Sequence, residues 1–282
     1  MPELPEVETI RQGLEPLIKG NTINGISVTW PRIIKTEQSI NEWQRSLMGQ
    51  SIESLSRRGK YLIFNLSNNK MLVSHLRMEG KFLFFEAENV PKVKDKHTHV
   101  RFTFNDYSEL HYHDVRKFGR MELIHSGDIE SYFTSKKLGP EPTSESFKID
   151  LFSQQLATIK KAIKPALLDQ HLVVGLGNIY VDEVLFQAGI HPATPAQSLN
   201  DAQIFQLHQA IIDIMNRAII AGGSSIRTYR NAYGTEGEFQ NFHQVYGKAN
   251  QACPVCGTKI QKIQLSQRGT HFCPECQPRV SI

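Results

Sequence analysis

Residues 253–276 read CPVCGTKIQKIQLSQRGTHFCPEC. Cys253 and Cys256 form one Cys-x-x-Cys pair and Cys273 and Cys276 a second, with sixteen residues between them. Each pair sets two thiolates on one side of a tight turn, and four thiolates complete the tetrahedral shell of one Zn²⁺ ion. A four-Cys shell is closed, so the ion is structural, and in so small a module it supplies much of the folding energy. Redox chemistry is the alternative use of such pairs. Between the pairs, Lys259–Ser266 and Thr270–Phe272 are expected to form a hairpin. Gln267-Arg268-Gly269 would be its tip, aiming Arg268 outward. No other cysteine occurs in the 282 residues. That distribution is unlike a secreted disulfide framework and suits a reducing, cytoplasmic compartment.

Charge concentrates around the same stretch. Residues 241–282 hold Lys248, Lys259, Lys262, Arg268 and Arg279 against Glu275 alone, which equals the +4 of the whole chain. Such a tail suits a polyanionic partner, or forms a solvated face. The chain as a whole has the composition of a globular protein, 40% hydrophobic and 21% charged. No apolar run approaches the ~18 residues of a membrane span, and the N-terminus lacks a secretory pattern.

The chain before the tail changes character twice. Val7, Ile10, Leu14 and Leu17 predict an amphipathic helix over 3–19, stopped by Gly20. Strands are expected at 22–30, 51–57, 60–66, 71–76, 80–85, 98–105, 108–113 and 119–124, a β-sandwich or barrel pattern. Three clusters fall at its turns: Arg57-Arg58-Gly59-Lys60, His75-Leu76-Arg77-Met78-Glu79-Gly80, and Asp114-Val115-Arg116-Lys117-Phe118-Gly119. The first suits a phosphate or is a basic hairpin. Burial of Met78 and Phe118 in the core is the default for such side chains. His97, His99, His111 and His113 alternate on strands without a carboxylate or Cys at ligand spacing, which argues against a metal there. Residues 136–148 read as an interdomain linker, and helices follow at 150–157, 161–170, 178–188 and 200–221. In Val173-Val174-Gly175-Leu176-Gly177-Asn178-Ile179-Tyr180 two glycines precede a helix start, where backbone N–H groups suit a phosphate; a helix–turn–helix presenting this turn to a nucleic-acid backbone is the better functional reading, and a simple helix connection the bland one. The Gly- and Ser-rich stretch 222–240 reads as a substrate loop.

The chain begins Met1-Pro2-Glu3-Leu4-Pro5-Glu6-Val7-Glu8. Clipping of Met1 would leave Pro2 as a secondary amine. Such α-amino groups titrate near ~7.7–8.0 and form Schiff bases with carbonyl carbons. Glu3 beside it suits general acid–base work. A plain helix lead-in accounts for the same residues.

Together these residues resemble the bacterial formamidopyrimidine-DNA glycosylases over essentially the whole chain. The resemblance rests on Pro2–Glu8, Arg58-Gly59-Lys60, Arg116-Lys117-Phe118-Gly119, Leu138-Gly139-Pro140-Glu141-Pro142, Gly175-x-Gly-Asn178-Ile-Tyr180 and the four-Cys finger with Arg268. It implies an α+β multidomain fold. An N-terminal β-sandwich with an N-terminal helix (1–135) is followed by a linker (136–149), a helix-two-turn-helix domain (150–240) and a four-Cys zinc finger (241–282), with DNA in the cleft between. It also implies a glycosylase and AP lyase acting on 8-oxoguanine paired with C and on formamidopyrimidines. Pro2 would attack C1′ of the damaged nucleotide and Glu3 would move protons at the sugar. Lys60 and Arg268 would serve β- and δ-elimination. His75, Asn178 and Arg268 would hold phosphates with Tyr246 nearby, and Lys164 and His97 are further DNA-contact candidates. Met78, Arg116 and Phe118 would fill the void left by the extruded nucleotide. Arg116 offers two donors to the O2 and N3 acceptors of cytosine, a match adenine lacks. Backbone amides of Ile226, Arg227, Thr228 and Tyr229 would read the base. The implied partner is damaged double-stranded DNA, bound by a cytoplasmic, nucleoid-associated monomer with one structural Zn²⁺ ion and no membrane contact. The competing readings are an endonuclease VIII-type enzyme for oxidised pyrimidines and a non-catalytic zinc-dependent DNA-binding protein.

Overall fold

The computed structural model describes residues 1–93, 95–224 and 237–279. The chain divides into two compact units. The first holds Met1–Pro2 and Glu6–Ser135; the second holds Glu3–Pro5, Lys136–Ser224 and the chain from Glu238 on. The helical segment and the finger therefore share one unit.

In the first unit, helix α1 (Leu4–Ile18) buries Val7, Ile10, Leu14 and Ile18 along one face, and Gly20 at φ +88° ends it. Nine strands follow: β1 (Ile23–Val28), β2 (Ile34–Lys35), β3 (Ile52–Arg58), β4 (Tyr61–Leu66), β5 (Lys70–His75), β6 (Lys81–Phe85), β7 (Thr98–Phe104), β8 (Glu109–His113) and β9 (Arg120–His125). They form two sheets, ordered β1-β7-β8-β6 and β2-β9-β5-β4-β3. Phe64 on β4 meets Phe82 on β6 edge-on at 5.2 Å, so the sheets face each other as a sandwich. Each long strand lies within a residue or two of its predicted span, because alternation of buried and open positions sets strand register.

Three elements escaped that pattern. Helix α2 (Ile40–Leu47) is signalled by a capping box in which Ser39 and Glu42 satisfy each other's backbone N–H groups. Strand β2 has two residues and pairs parallel with β9. Helix α3 (Ile129–Ser135) buries Phe133 alone.

The second unit packs α4 (Ile149–Ala157), α5 (Ile163–Leu168), α6 (Asn178–Gln187) and α7 (Asp201–Ile220) around Leu167, Tyr180, Leu185, Leu207 and Ile211. Segment 136–148 is fastened to this unit: Gly139 N–H donates to Gln170 O (2.8 Å) and Val174 N–H to Pro140 O (3.0 Å). The finger hairpin pairs β10 (Gln261–Leu265) with β11 (Arg268–Phe272). Its turn is Ser266-Gln267, both at positive φ, as a two-residue hairpin turn requires. The tip is thus one residue earlier than expected, and Arg268 is the first, exposed residue of β11. Among the described residues no helix is long and apolar enough to cross a membrane.

Candidate functional site

Glu3 and the glycine pair belong together. Glu3 is buried, and its carboxylate accepts from the N–H groups of Gly177 (2.5 Å) and Ile179 (3.0 Å) at the start of α6, with Tyr180 N at 3.5 Å. Leu4 N–H donates to Gly175 O at 3.1 Å. Both glycines are required by this closeness. A Cβ on Gly177 would lie 2.7 Å from Glu3 Cγ, and one on Gly175 would run into Leu4 at a backbone φ of +97°. The helix N-terminus, expected to meet a phosphate, is therefore occupied by the protein's own carboxylate, an anion suited to the same N–H groups and dipole. Pro2, half-buried, is the covalent neighbour of this anchored residue.

In the first unit the remaining residues sit on hairpin turns. Gly59, at φ +55°, turns β3 into β4 and sets Lys60 in a two-residue loop. Lys60 is buried. Arg57 ties this turn to α1, donating to Gly59 O (3.0 Å) and to Glu8 (3.0 Å). Burial pushes the Glu8 carboxyl up, but hydrogen bonds from Arg11, Gln12 and Arg57 outweigh it and hold it below the usual range. His75 ends β5. Burial, then the charges of Arg77 and Lys60, press its pKa down to about 3, so the ring is neutral at pH 7. Its Nδ1 accepts from Arg77 N–H at 3.0 Å, which leaves the proton on Nε2 as a donor.

Two further turns carry Met78, Arg116 and Phe118. Gly80 N–H closes the first on Leu76 O at 3.0 Å. Asp114 organises the second, accepting from Arg116 N–H (3.0 Å) and Gly119 N–H (2.8 Å). The Tyr112 ring lies against both loops, where a Cβ on Gly80 or Gly119 would strike it. Phe118 is 52% exposed, against the default of core burial, and Met78 is half-buried. A half-exposed phenyl ring forgoes part of the roughly 1.5–3 kcal/mol that full burial of such a side chain contributes. Arg116 Nε donates to Glu79 at 3.2 Å, leaving both terminal nitrogens of the guanidinium outside that bond. His97, half-buried, stands ring edge to His113 at 5.6 Å. His99 is held on Asp114 O at 2.9 Å, and His111 pairs with Glu109 at 2.5 Å.

In the second unit Asn178 opens α6 and donates to Gly269 O at 2.9 Å. Tyr246 is held by its backbone N–H on Glu183 Oε1 (2.7 Å), and its ring stands edge-on to His271 at 5.1 Å. Glu183 also accepts from Gln244 and Val245 N–H; burial pushes its carboxyl up while these bonds work against that push. Lys164 does not sit as a DNA contact should. It is fully buried, and its ammonium is spent on Asp182 (2.7 Å), Thr270 Oγ1 (2.8 Å) and Gly269 O (3.1 Å). Sequence reasoning missed Asp182, Glu183, Asp114 and Glu79. An acidic pair inside the otherwise apolar run Ile179–Phe186 was the available signal for the first two. Ile226, Arg227, Thr228 and Tyr229 lie outside the described residues.

The four finger thiols converge. All four Sγ atoms lie within 4.8 Å of one another, with Cys256–Cys273 at 3.4 Å and Cys253–Cys276 at 3.8 Å. Tetrahedral Zn²⁺ with Zn–S bonds of ~2.3 Å needs sulfurs about 3.8 Å apart. The donor set fits one structural zinc, and Cys253, Cys256, Cys273 and Cys276 hold it.

The formamidopyrimidine-DNA glycosylase N-terminal domain matches residues 1–121, its H2TH domain residues 138–230, and the zinc finger found in FPG and IleRS residues 250–279. Formamidopyrimidine-DNA glycosylase of Streptococcus pneumoniae (strain ATCC BAA-255 / R6) is 53% identical over 279 residues, 99% of this chain and 100% of its own. That of Enterococcus faecalis is 54% identical over 277 residues, 98% and 97% of the two chains. The crystal structure of wild-type Lactococcus lactis Fpg with N7-benzyl-Fapy-dG containing DNA superposes with a TM-score of 0.92 at 48% identity, covering 99% of this chain and 100% of that one. An abasic-site complex of the same bacterium's Fpg gives 0.91 at 48%, covering 98% and 100%. The chain belongs to the formamidopyrimidine-DNA glycosylase family.

Proposed function

We propose that the protein excises oxidised purines, 8-oxoguanine paired with C and formamidopyrimidines, from duplex DNA and cleaves the strand by β,δ-elimination. The reading is supported most by the anchor of Glu3 on the α6 N-terminus, which gives the adjacent Pro2 a fixed direction. Loss of Met1 frees a secondary amine on Pro2. It attacks C1′ of the extruded nucleotide, the damaged base departs, and the sugar opens to an iminium on Pro2. Glu3 handles protons at the sugar. Lys60 and Arg268 serve the two eliminations and grip phosphates, with neutral His75 donating from Nε2 and Asn178 and Tyr246 alongside. Phe118 wedges the stack, Met78 fills the vacated space and Arg116 meets the orphaned cytosine with its two terminal nitrogens. His97 is a further DNA contact, and the amides of 226–229 read the base. Four thiolate-bound zinc chemistry here is structural: the finger stiffens the arm that bears Arg268. The protein works as a monomer in the cytoplasm on nucleoid DNA.

Duplexes carrying 8-oxoguanine·C or thymine glycol·A test this reading. Preferential incision of the first is expected. Preference for thymine glycol would assign the enzyme to oxidised pyrimidines, and no incision of either would leave a DNA-binding protein only.

A further inference from the structure

Helix α6 carries a carboxylate that the reaction scheme does not use. Asp182 is fully buried. Its Oδ1 accepts from Lys164 Nζ at 2.7 Å; its Oδ2 accepts from His271 N–H at 2.9 Å, with His271 Nδ1 3.3 Å away. Lys164 goes on to Thr270 Oγ1 and Gly269 O, and Asn178 adds a second donor to Gly269 O. The Thr270 hydroxyl donates back to Arg268 O at 3.1 Å. The three residues that follow Arg268 are thus each tied to α5 or α6, and all the ties but that of Asn178 run through one buried ion pair.

An isolated two-stranded hairpin is marginal in water, and here both turn residues hold positive φ. Left alone it would not fix the direction of an exposed arginine at its turn. A buried ion pair adds little net stability over apolar residues of the same size, since desolvation consumes its Coulomb energy. What it supplies is directed hydrogen bonds to particular backbone groups of β11. We propose that Asp182 is a positioning residue for Arg268: through Lys164 and the His271 amide it locks the first strand residues of the finger onto the helical domain. The proposal rests on the assignment of Arg268 to the lesion phosphates and the δ-elimination step.

The test uses the zinc-loaded full chain and an 8-oxoguanine·C duplex under single-turnover conditions at saturating enzyme. Three variants are compared with the parent: Asp182→Asn, the apolar pair Lys164→Met with Asp182→Leu, and Arg268→Ala. The readouts are borohydride trapping rate, the ratio of δ- to β-elimination products, zinc content and thermal midpoint. A misplacement of about 1 Å costs up to 10²-fold in such steps. Asp182→Asn is expected to keep its zinc and trapping within a few-fold while the δ/β ratio falls on the order of tenfold or more. The apolar pair is expected to regain thermal stability but not the ratio. Recovery of the ratio along with stability would overturn the proposal, as would a parental ratio in Asp182→Asn when Arg268→Ala lowers it. An Arg268→Ala enzyme with a parental ratio would instead remove the assignment of Arg268, and the positioning role with it.

Discussion

Gly177→Ala tests the Glu3 anchor directly. The backbone at 177 has φ −125°, which alanine adopts without strain. The three atoms nearest the added methyl all belong to the Glu3 side chain, whose Cγ would be 2.7 Å away and whose carboxyl carbon would be closer still. Ordinary contact begins near 3.4 Å, so the Glu3 side chain must retreat by on the order of 1 Å. Overpacking of this kind costs about 1–3 kcal/mol, and the stiffer unfolded chain returns ~0.4–1 kcal/mol of it. The fold survives. The carboxylate, however, loses its bonds to Gly177 and Ile179 N–H, and Pro2 loses its mount. A misplacement of about 1 Å at reacting groups costs roughly 10²-fold in rate. Single-turnover excision of 8-oxoguanine should therefore fall about 10²-fold while affinity for tetrahydrofuran-containing DNA changes little. Excision within a few-fold of the parent, in a variant whose structure confirms the displaced Glu3, would refute the claim that this anchor aims the N-terminus.

Other consequences are open to measurement. Chelation of zinc should abolish DNA binding in a filter or anisotropy assay, because the finger that bears Arg268 has little core besides the metal; unchanged affinity in chelator would reject its structural role. His75 and His243 are pressed by burial to about 3 and about 4, against ~6.5 in the unfolded chain. The unfolded state therefore takes up protons below about pH 6.5 that the folded state refuses. The stability carried by these neutral rings is whole above that pH and drains as pH falls towards 4. The thermal midpoint should drop over that window, and less steeply in His243→Gln; equal slopes would deny His243 its part. Arg116→Ala should collapse the preference for 8-oxoguanine·C over 8-oxoguanine·A in paired kinetic assays, leaving Schiff-base formation on the C duplex within about tenfold, the worth of one bidentate contact.

The strands and long helices were legible because their buried faces repeat at two and at 3.6 residues. Strand β2 and helix α3 offer too little period to read, and α2 is written in its capping box at Ser39 and Glu42 more than in its apolar residues. The zinc site was fully legible, since four cysteines at fixed spacing leave one geometry. Glycine pairs were legible as special without revealing for what: Gly175 and Gly177 looked suited to a phosphate and instead receive Leu4 and Glu3 from the far end of the chain. Lys164 shows the opposite limit. Its charge suggested DNA, and only the fold brings Asp182 and Thr270 close enough to consume it. A partner more than a hundred residues away in sequence leaves no local mark.

Pro2 is the proposed nucleophile. The most direct test reacts the Met1-processed protein, its new N-terminus verified by mass spectrometry, with 8-oxoguanine·C DNA and borohydride, and maps the cross-link by peptide sequencing. The adduct is expected on Pro2 and should vanish in Pro2→Gly. A robust adduct in that variant, or a cross-link mapped to a lysine, would contradict the account.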